Sequence, residues 1–223
     1  MIITIDGPAG VGKSSLCSFL SNELNFLYLN SGEFYRLFTY FLLKNKLSID
    51  KDYILSFIQE FKKIDIKFLH LKNNNVYYIK NYNLNLNSLD LRDDLIDKYV
   101  STVAQINEIR EIVNFNLKKQ NNNKKNIIVD GRDASIIFPE AKLKIYLDAS
   151  IEIRTLRRLK QYNLNENEFD NIKNNILLRD KKDKKVTIQS EDNLYIDTSD
   201  MSFLEVKNKL INIIGELNEK KFQ

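Results

Sequence analysis

The sequence predicts an α/β protein: a parallel sheet flanked by helices and interrupted by a small antiparallel β insert. Three observations predict it. Short apolar runs at Ile2–Ile5, Asn126–Asp130, Leu143–Leu147 and Leu194–Asp197 alternate with stretches of helical periodicity. A glycine-rich turn joins the first run directly to a helix. Between residues 63 and 90 the pattern changes to Ile, Phe, Tyr, Val and Leu separated by asparagines.

Each element has its own reason. Ile2 to Ile5 is short and continuously apolar, as a strand buried on both faces is. Residues 13–24 place Leu16, Phe19, Leu20 and Leu24 on one helical stripe. Leu27 to Leu29 is a second short strand, and 32–44 and 50–61 are helices. Segments 64–70, 75–80 and 82–86 read as a three-stranded meander, an insert within the strand and helix alternation. One long helix is expected over 93–119, from a stripe running from Leu95 and Ile96 to Ile112 and Val113. The Asn/Lys-rich stretch 120–126 is a loop. Strands follow at Asn126–Asp130 and Leu143–Leu147, then helices near 151–161 and 166–181. Leu194–Asp197 is the last strand, and 202–220 the closing helix.

Composition narrows the function classes. With 223 residues, the chain fits one large domain or a domain with an insertion. Lys and Arg exceed Asp and Glu by 34 to 30, a mild excess that suits a small anionic ligand and does not by itself indicate nucleic acid. The one cysteine, Cys17, lies on the apolar side of a helix and reads as core. The one histidine, His70, has no companion ligand in its stretch, which argues against a metal site there. The start Met-Ile-Ile-Thr-Ile-Asp-Gly is not a signal peptide, and no apolar run approaches the roughly 18 residues that span a bilayer. A soluble, cytoplasmic protein is the expectation.

Gly7-Pro8-Ala9-Gly10-Val11-Gly12-Lys13-Ser14 matches the phosphate-binding pattern G-x-x-x-x-G-K-[ST], with Ser15 next on the helix. Glycines let the backbone wrap an anion and present amide donors. The following helix adds its positive end. Lys13 supplies a charge for β- and γ-phosphates, and the Ser14 hydroxyl suits Mg²⁺. The fold is therefore of P-loop NTPase type. The loop alone leaves kinase, GTPase and ATPase open.

Further along, Ser31 sits where a hydroxyl caps a helix, with Arg36 on its first turns. Asp130-Gly131-Arg132-Asp133 ends a buried strand, where open α/β sheets place ligands. There Arg132 offers a planar fork for phosphate, Asp133 acceptors for an amino group, and Asp130 a carboxylate for Mg²⁺ or its waters. Arg154, Arg157 and Arg158 share one helix, and Arg179, Lys181, Lys182, Lys184 and Lys185 follow the next, with Asp180 and Asp183 interleaved. Such a basic segment beside a phosphate loop reads as a lid over a transferring phosphoryl group, or as a solvated charged face.

Taken together, these residues resemble the bacterial cytidylate kinases, of the nucleoside monophosphate kinase group, over nearly the whole chain. The resemblance rests on Ile5-Asp6-Gly7-Pro8, Ser31-Gly32 with Tyr35-Arg36, and Ser101-Thr102-Val103-Ala104 with Ile109-Arg110. It rests also on Asp130 to Asp133 with Phe138-Pro139, Leu143 to Ser150, and Arg179-Asp180 with Asp183.

The resemblance implies ATP as donor, CMP or dCMP as acceptor, Mg²⁺, and a monomer with neither nucleic acid nor membrane as partner. It implies a core of residues 1–62 and 91–223, a monophosphate-binding insert at 63–90, and a helical lid near 157–187. Ser31, Arg36 and Arg132 would contact the acceptor, and Ser101, Arg110 and Asp133 would read the cytosine edge. Arg179 and Asp183 would approach sugar and phosphates, with Arg157 and Arg158 toward ATP. Alternatives are a P-loop kinase for another monophosphate or small acceptor, and a non-catalytic nucleotide-binding protein. Asn30 stands where the family has Asp, Lys182 and Lys184 replace arginines, and Val186 occupies another arginine position.

Overall fold

The computed structural model describes residues 1–44, 51–61, 64, 66–71, 74–79, 83–87, 89–121, 126–183 and 192–219. The chain forms two compact units: Met1–Tyr28 with Asn126–Gln223, and Leu29–Lys125.

The first unit holds the parallel sheet. Its strands are β1 (Ile2–Asp6), β2 (Leu27–Asn30, running on into the second unit), β6 (Ile127–Gly131), β7 (Leu143–Asp148) and β8 (Leu194–Asp197), in the order β2-β6-β1-β7-β8. β1 pairs in parallel with β6, Asp6 opposite Gly131, and with β7, Asp6 opposite Tyr146. The central strand is buried on both faces: Ile3, Thr4, Ile5 and Asp6 are all fully enclosed, which is why the sequence there is a short apolar run.

The flanking helices are α1 (Lys13–Leu24), the one-turn α6 (Ala134–Ile137), α7 (Ile151–Tyr162), α8 (Phe169–Asp183) and α9 (Phe203–Glu219). Leu16 and Leu20 of α1 and Leu210 and Ile214 of α9 join Ile3, Ile5, Ile145 and Leu147 in one core. Cys17 belongs to that core, and burial, with the Asp130 charge second, pushes its thiol up, as expected of a packing residue. The expected helix at 166–181 opens with a 3₁₀ turn at Glu166–Glu168. α6 was not legible in the sequence: four residues carry too little periodicity.

The second unit contains α2 (Ser31–Lys44), α3 (Lys51–Phe61), β3 (Ile66–Leu71), β4 (Asn74–Ile79), β5 (Leu84–Asn87), α4 (Asp94–Val103) and α5 (Asn107–Asn121). The three strands form an antiparallel sheet, Tyr77 facing Phe68 on one side and Leu86 on the other. Phe38 of α2 packs on Phe57 and Phe61 of α3, with ring centroids 5.6 and 4.5 Å away.

One expectation is overturned here. The single helix of 93–119 is two helices, separated at residues 104–106. Gln105 and Ile106 N–H groups turn back to the Thr102 and Val103 carbonyls, both at 3.2 Å, so the ladder tightens and stops. Asn107 then restarts it, and the Arg110 guanidinium donates to the Ala104 carbonyl at 3.2 Å. Each helix keeps its own apolar stripe, so periodicity alone does not reveal the break.

Candidate active site

In the first unit, the phosphate loop lies between β1 and α1. Gly7 is forced by its surroundings: an added Cβ would stand 2.1 Å from the Leu147 carbonyl oxygen. Gly12 precedes α1 with φ +103°, and nothing lies within 4 Å of where its Cβ would be. The loop is thus tight against β7 at one end and open at the start of the helix, the end at which backbone amides suit an anion.

Lys13 folds over this loop. Its Nζ donates to the Gly7 and Pro8 carbonyls at 2.7 and 2.8 Å. Burial first, then the neighbouring Arg132 charge, hold its pKa well below the ordinary lysine value, against the pull of Asp130 and Asp6. Arg132 also reaches the Gly7 carbonyl with Nη1, while its Nε donates to Asp183 Oδ2 at 2.9 Å. Two cations therefore converge on one carbonyl oxygen. Arg179, one helical turn before Asp183, stands 3.8 Å from the same carboxylate.

Ser14 Oγ donates to Asp130 Oδ2 at 2.8 Å, and the buried Tyr28 hydroxyl donates to the same oxygen at 2.9 Å. A hydroxyl and a carboxylate side by side are hard oxygen donors of the kind Mg²⁺ takes. Among the described residues no group of three or more His, Cys, Asp or Glu forms a cation cage. A divalent ion at Ser14 and Asp130 would take its remaining oxygens from water and phosphate, which fits Mg²⁺.

Asp6 was not picked out by the sequence reading, which used it only as a family mark. It is fully buried, and its two oxygens accept from the Ala134 and Ser135 amides, each at 2.8 Å. It thereby anchors the turn that carries Arg132 and Asp133. Asp133 itself is 7% exposed at the start of α6. The available signal was an acidic residue closing a buried strand.

Behind the loop, Arg154 is buried and donates to the Ala149 and Ala9 carbonyls, both at 3.0 Å. Its Nη1 also meets Asp180 Oδ2 at 2.5 Å, and Asp180 Oδ1 accepts from the Ala9 amide at 3.1 Å. Arg157 donates to the Val11 carbonyl at 3.1 Å and, through Nη2, to the Thr198 carbonyl at 2.6 Å, tying the loop to the end of β8. Arg158 runs along its own helix to Gln161 Oε1 at 3.0 Å and over the Tyr162 ring. Ser15 is exposed on the first turn of α1 and Lys182 on the last turn of α8; Lys184, Lys185 and Val186 lie outside the described residues.

In the second unit, the expected cap of α2 is corrected. Asn30 caps the helix, its Oδ1 accepting from the Glu33 amide at 3.3 Å, and Ser31 is the first helical residue. An amide oxygen serves as well as a carboxylate oxygen for that bond, so Asn in place of Asp keeps the cap. Arg36, 6% exposed, donates to the Leu91 carbonyl at 2.9 Å and pairs with Asp97 of α4. Arg110 of α5 lies 5.9 Å over the Tyr35 ring, and Ser101 is half-buried on α4. Glu33, missed in the sequence, is a buried carboxylate accepting from Tyr77 OH at 2.6 Å and Asn75 Nδ2 at 2.9 Å, which joins α2 to β4.

Comparison with known proteins adds the family. The family model described as "Cytidylate kinase" matches residues 3–216. A cytidylate kinase of Phytoplasma mali (strain AT) is 36% identical, over 98% of this chain and 95% of that protein. One from Carboxydothermus hydrogenoformans is 32% identical, over 98% of this chain and 99% of its own. Among solved structures, an uncharacterized protein from Eubacterium ventriosum ATCC 27560 superposes with a TM-score of 0.54 at 14% identity, covering 97% of this chain and 98% of that one, a likeness of fold alone.

Proposed function

The chain belongs to the cytidylate kinase family, and on that premise we propose that it transfers the γ-phosphoryl group of ATP to CMP or dCMP, giving CDP or dCDP and ADP. The observation that carries this reading is the convergence of Lys13 and Arg132 on the Gly7 carbonyl. Burial first and the Arg132 charge second depress the lysine pKa, and the two cations repel one another. An anion of high charge relieves that repulsion, as a triphosphate does.

The reaction needs no dedicated base, because the acceptor phosphate is already an anionic nucleophile. One of its oxygens attacks the γ-phosphorus as the bond to the β,γ-bridging oxygen breaks, and ADP leaves with that electron pair. The amides of Gly7 to Ser14 and the Lys13 ammonium hold the donor phosphates. Arg36 and Arg132 take the acceptor phosphate, and each already grips a carboxylate, Asp97 and Asp183 respectively. Such pairing supports the role, since a guanidinium fork that accommodates a carboxylate accommodates a phosphate.

Ser14 and Asp130 would hold Mg²⁺, which supplies charge neutralisation at the β- and γ-phosphates. Ser31, Ser101, Arg110 and Asp133 recognise the nucleoside, with Asp133 accepting from the cytosine amino group. Arg179 and Asp183 act from the lid of about 157–187, with Arg157 and Arg158 on the ATP side, and residues 63–90 serve as the monophosphate-binding insert. The enzyme works as a monomer in the cytoplasm; among the described residues no helix is long and apolar enough to cross a membrane.

A coupled assay for ADP with CMP, dCMP, UMP, AMP and GMP tests the reading. CMP and dCMP should be preferred. Preference for another monophosphate, or tight ATP binding without ADP release above background for any acceptor, would overturn it.

A further inference from the structure

Ala9 is held on both sides of its residue. Its N–H donates to Asp180 Oδ1 at 3.1 Å, and its carbonyl accepts from Arg154 Nη1 at 3.0 Å. Arg154 and Asp180 are themselves paired at 2.5 Å, so the three residues close a ring of hydrogen bonds. Arg154 is also fixed by the Ala149 carbonyl, at the end of β7, so the ring is referred to the sheet. The adjoining Gly10 has no room to drift: a Cβ there would stand 3.2 Å from the Arg154 carbonyl and 3.5 Å from Ile176 of α8.

We propose that Asp180 is a positioning residue of the phosphate loop. Its carboxylate fixes the Ala9 peptide, and with it the direction in which the following amides, Gly10 to Ser14, present their N–H groups. Two peptide planes meet at Ala9, and neither can rotate without breaking a bond to Asp180 or Arg154. Arg154 and Asp180 sit 145 and 171 residues away in sequence, and they add to the hold that Lys13 has on the Pro8 carbonyl of the first of these planes. A second consequence follows from the position of Asp180 on α8, beside Arg179 and Asp183. The helix that carries those groups is thereby linked to the donor cradle, while Arg132 holds Asp183 independently of Asp180.

The inference presupposes the donor reading of the loop, so its test uses ATP binding, which needs no acceptor. In Asp180→Ala the Ala9 amide and the Arg154 guanidinium lose a charged acceptor, and the loop amides gain freedom that ATP must remove. The expected result is a Kd for ATP weakened by about tenfold, a size ordinary for a charge-assisted hydrogen bond. The KM for CMP should stay within about twofold, a split that loss of stability alone does not produce. Asp180→Asn keeps one acceptor oxygen and should recover part of the loss. A double-mutant cycle with Arg154→Ala should be strongly non-additive, because either change opens the same ring. If Asp180→Ala fails to fold, Asp180→Asn decides, with an intermediate weakening of ATP. Wild-type ATP affinity in the folded variants, or a lowered melting temperature with ATP binding intact, overturns the proposal. Failure of the wild-type chain to phosphorylate CMP would refute the proposed reaction and leave the ATP result standing.

Discussion

The Tyr28 hydroxyl donates to Asp130 Oδ2 at 2.9 Å, inside the core and at the oxygen that Ser14 also uses. A phenol 6% exposed thus steers a carboxylate that faces the phosphate loop. Tyr28→Phe keeps the ring and its packing and deletes that donor. The expected cost is about 1–2 kcal/mol of stability, measured by urea denaturation. The Mg²⁺ concentration for half-maximal turnover should rise, with the KM for CMP unmoved. Wild-type Mg²⁺ dependence would show that Tyr28 does not orient Asp130.

Lys13 carries a sign that pH can read. Its folded-state pKa is lowered, so the unfolded chain binds that proton more tightly than the folded one. The charged lysine therefore destabilises the empty protein below its folded pKa, and the penalty fades as pH rises toward the ordinary lysine value. Lys13→Met should melt at least as high as the wild type at neutral pH, with the gap narrowing in alkali. The same substitution should lower turnover by about 100-fold or more, as loss of a donor to developing phosphate charge does. A stability difference between Lys13→Met and the wild type that does not change from neutral to alkaline pH would contradict the depressed pKa.

Arg36 is buried, while its partner Asp97 has a side chain 46% exposed. The asymmetry predicts asymmetric costs. Arg36→Ala should raise the KM for CMP by about tenfold or more and leave that for ATP nearly unchanged. Asp97→Ala should cost less than about 1 kcal/mol of stability, since a half-exposed ion pair contributes little and the Leu91 carbonyl still holds the arginine. Steady-state kinetics in both substrates, beside thermal melts, separates the two.

Glu33 predicts a purely architectural defect. Tyr77 and Asn75 both donate to Glu33 Oε2, so Glu33→Gln keeps an oxygen for the pair and should be nearly neutral, whereas Glu33→Ala removes the acceptor of both bonds. The expected loss is about 2 kcal/mol, read from denaturant midpoints. Tyr77→Phe removes one of those two donors and should restore part of the loss in the double variant with Glu33→Ala.

Much of this was legible in the sequence, and the boundary is physical. α1 and β8 fall where periodicity and composition put them, because the covering core dictates both. The glycine-rich turn between β1 and α1 was legible for the same kind of reason: a tight local turn fixes residue types at fixed spacing. The break at 104–106 was not, since a stripe that continues across a turn looks unbroken in one dimension. The α2 cap was assigned to Ser31 because both Asn and Ser are good caps, and only the Asn30–Glu33 bond distinguishes them. The partners of Asp6 lie 128 and 129 residues away, a separation no spacing rule reaches. Asp180 and Glu33 share that property: each is ordinary in its own segment and defined by a distant one.

Asp6 has a mechanical consequence. Its backbone ends β1 immediately before Gly7, and its two oxygens grip the amides that follow Asp133. The loops after β1 and β6 are thereby joined by a strut a single side chain long, in addition to the ladder between their strands. A strut so short couples the positions of the two loops. A shift of either loop is therefore passed to the other through Asp6, and the segments that carry Lys13 and Arg132 share one mounting point.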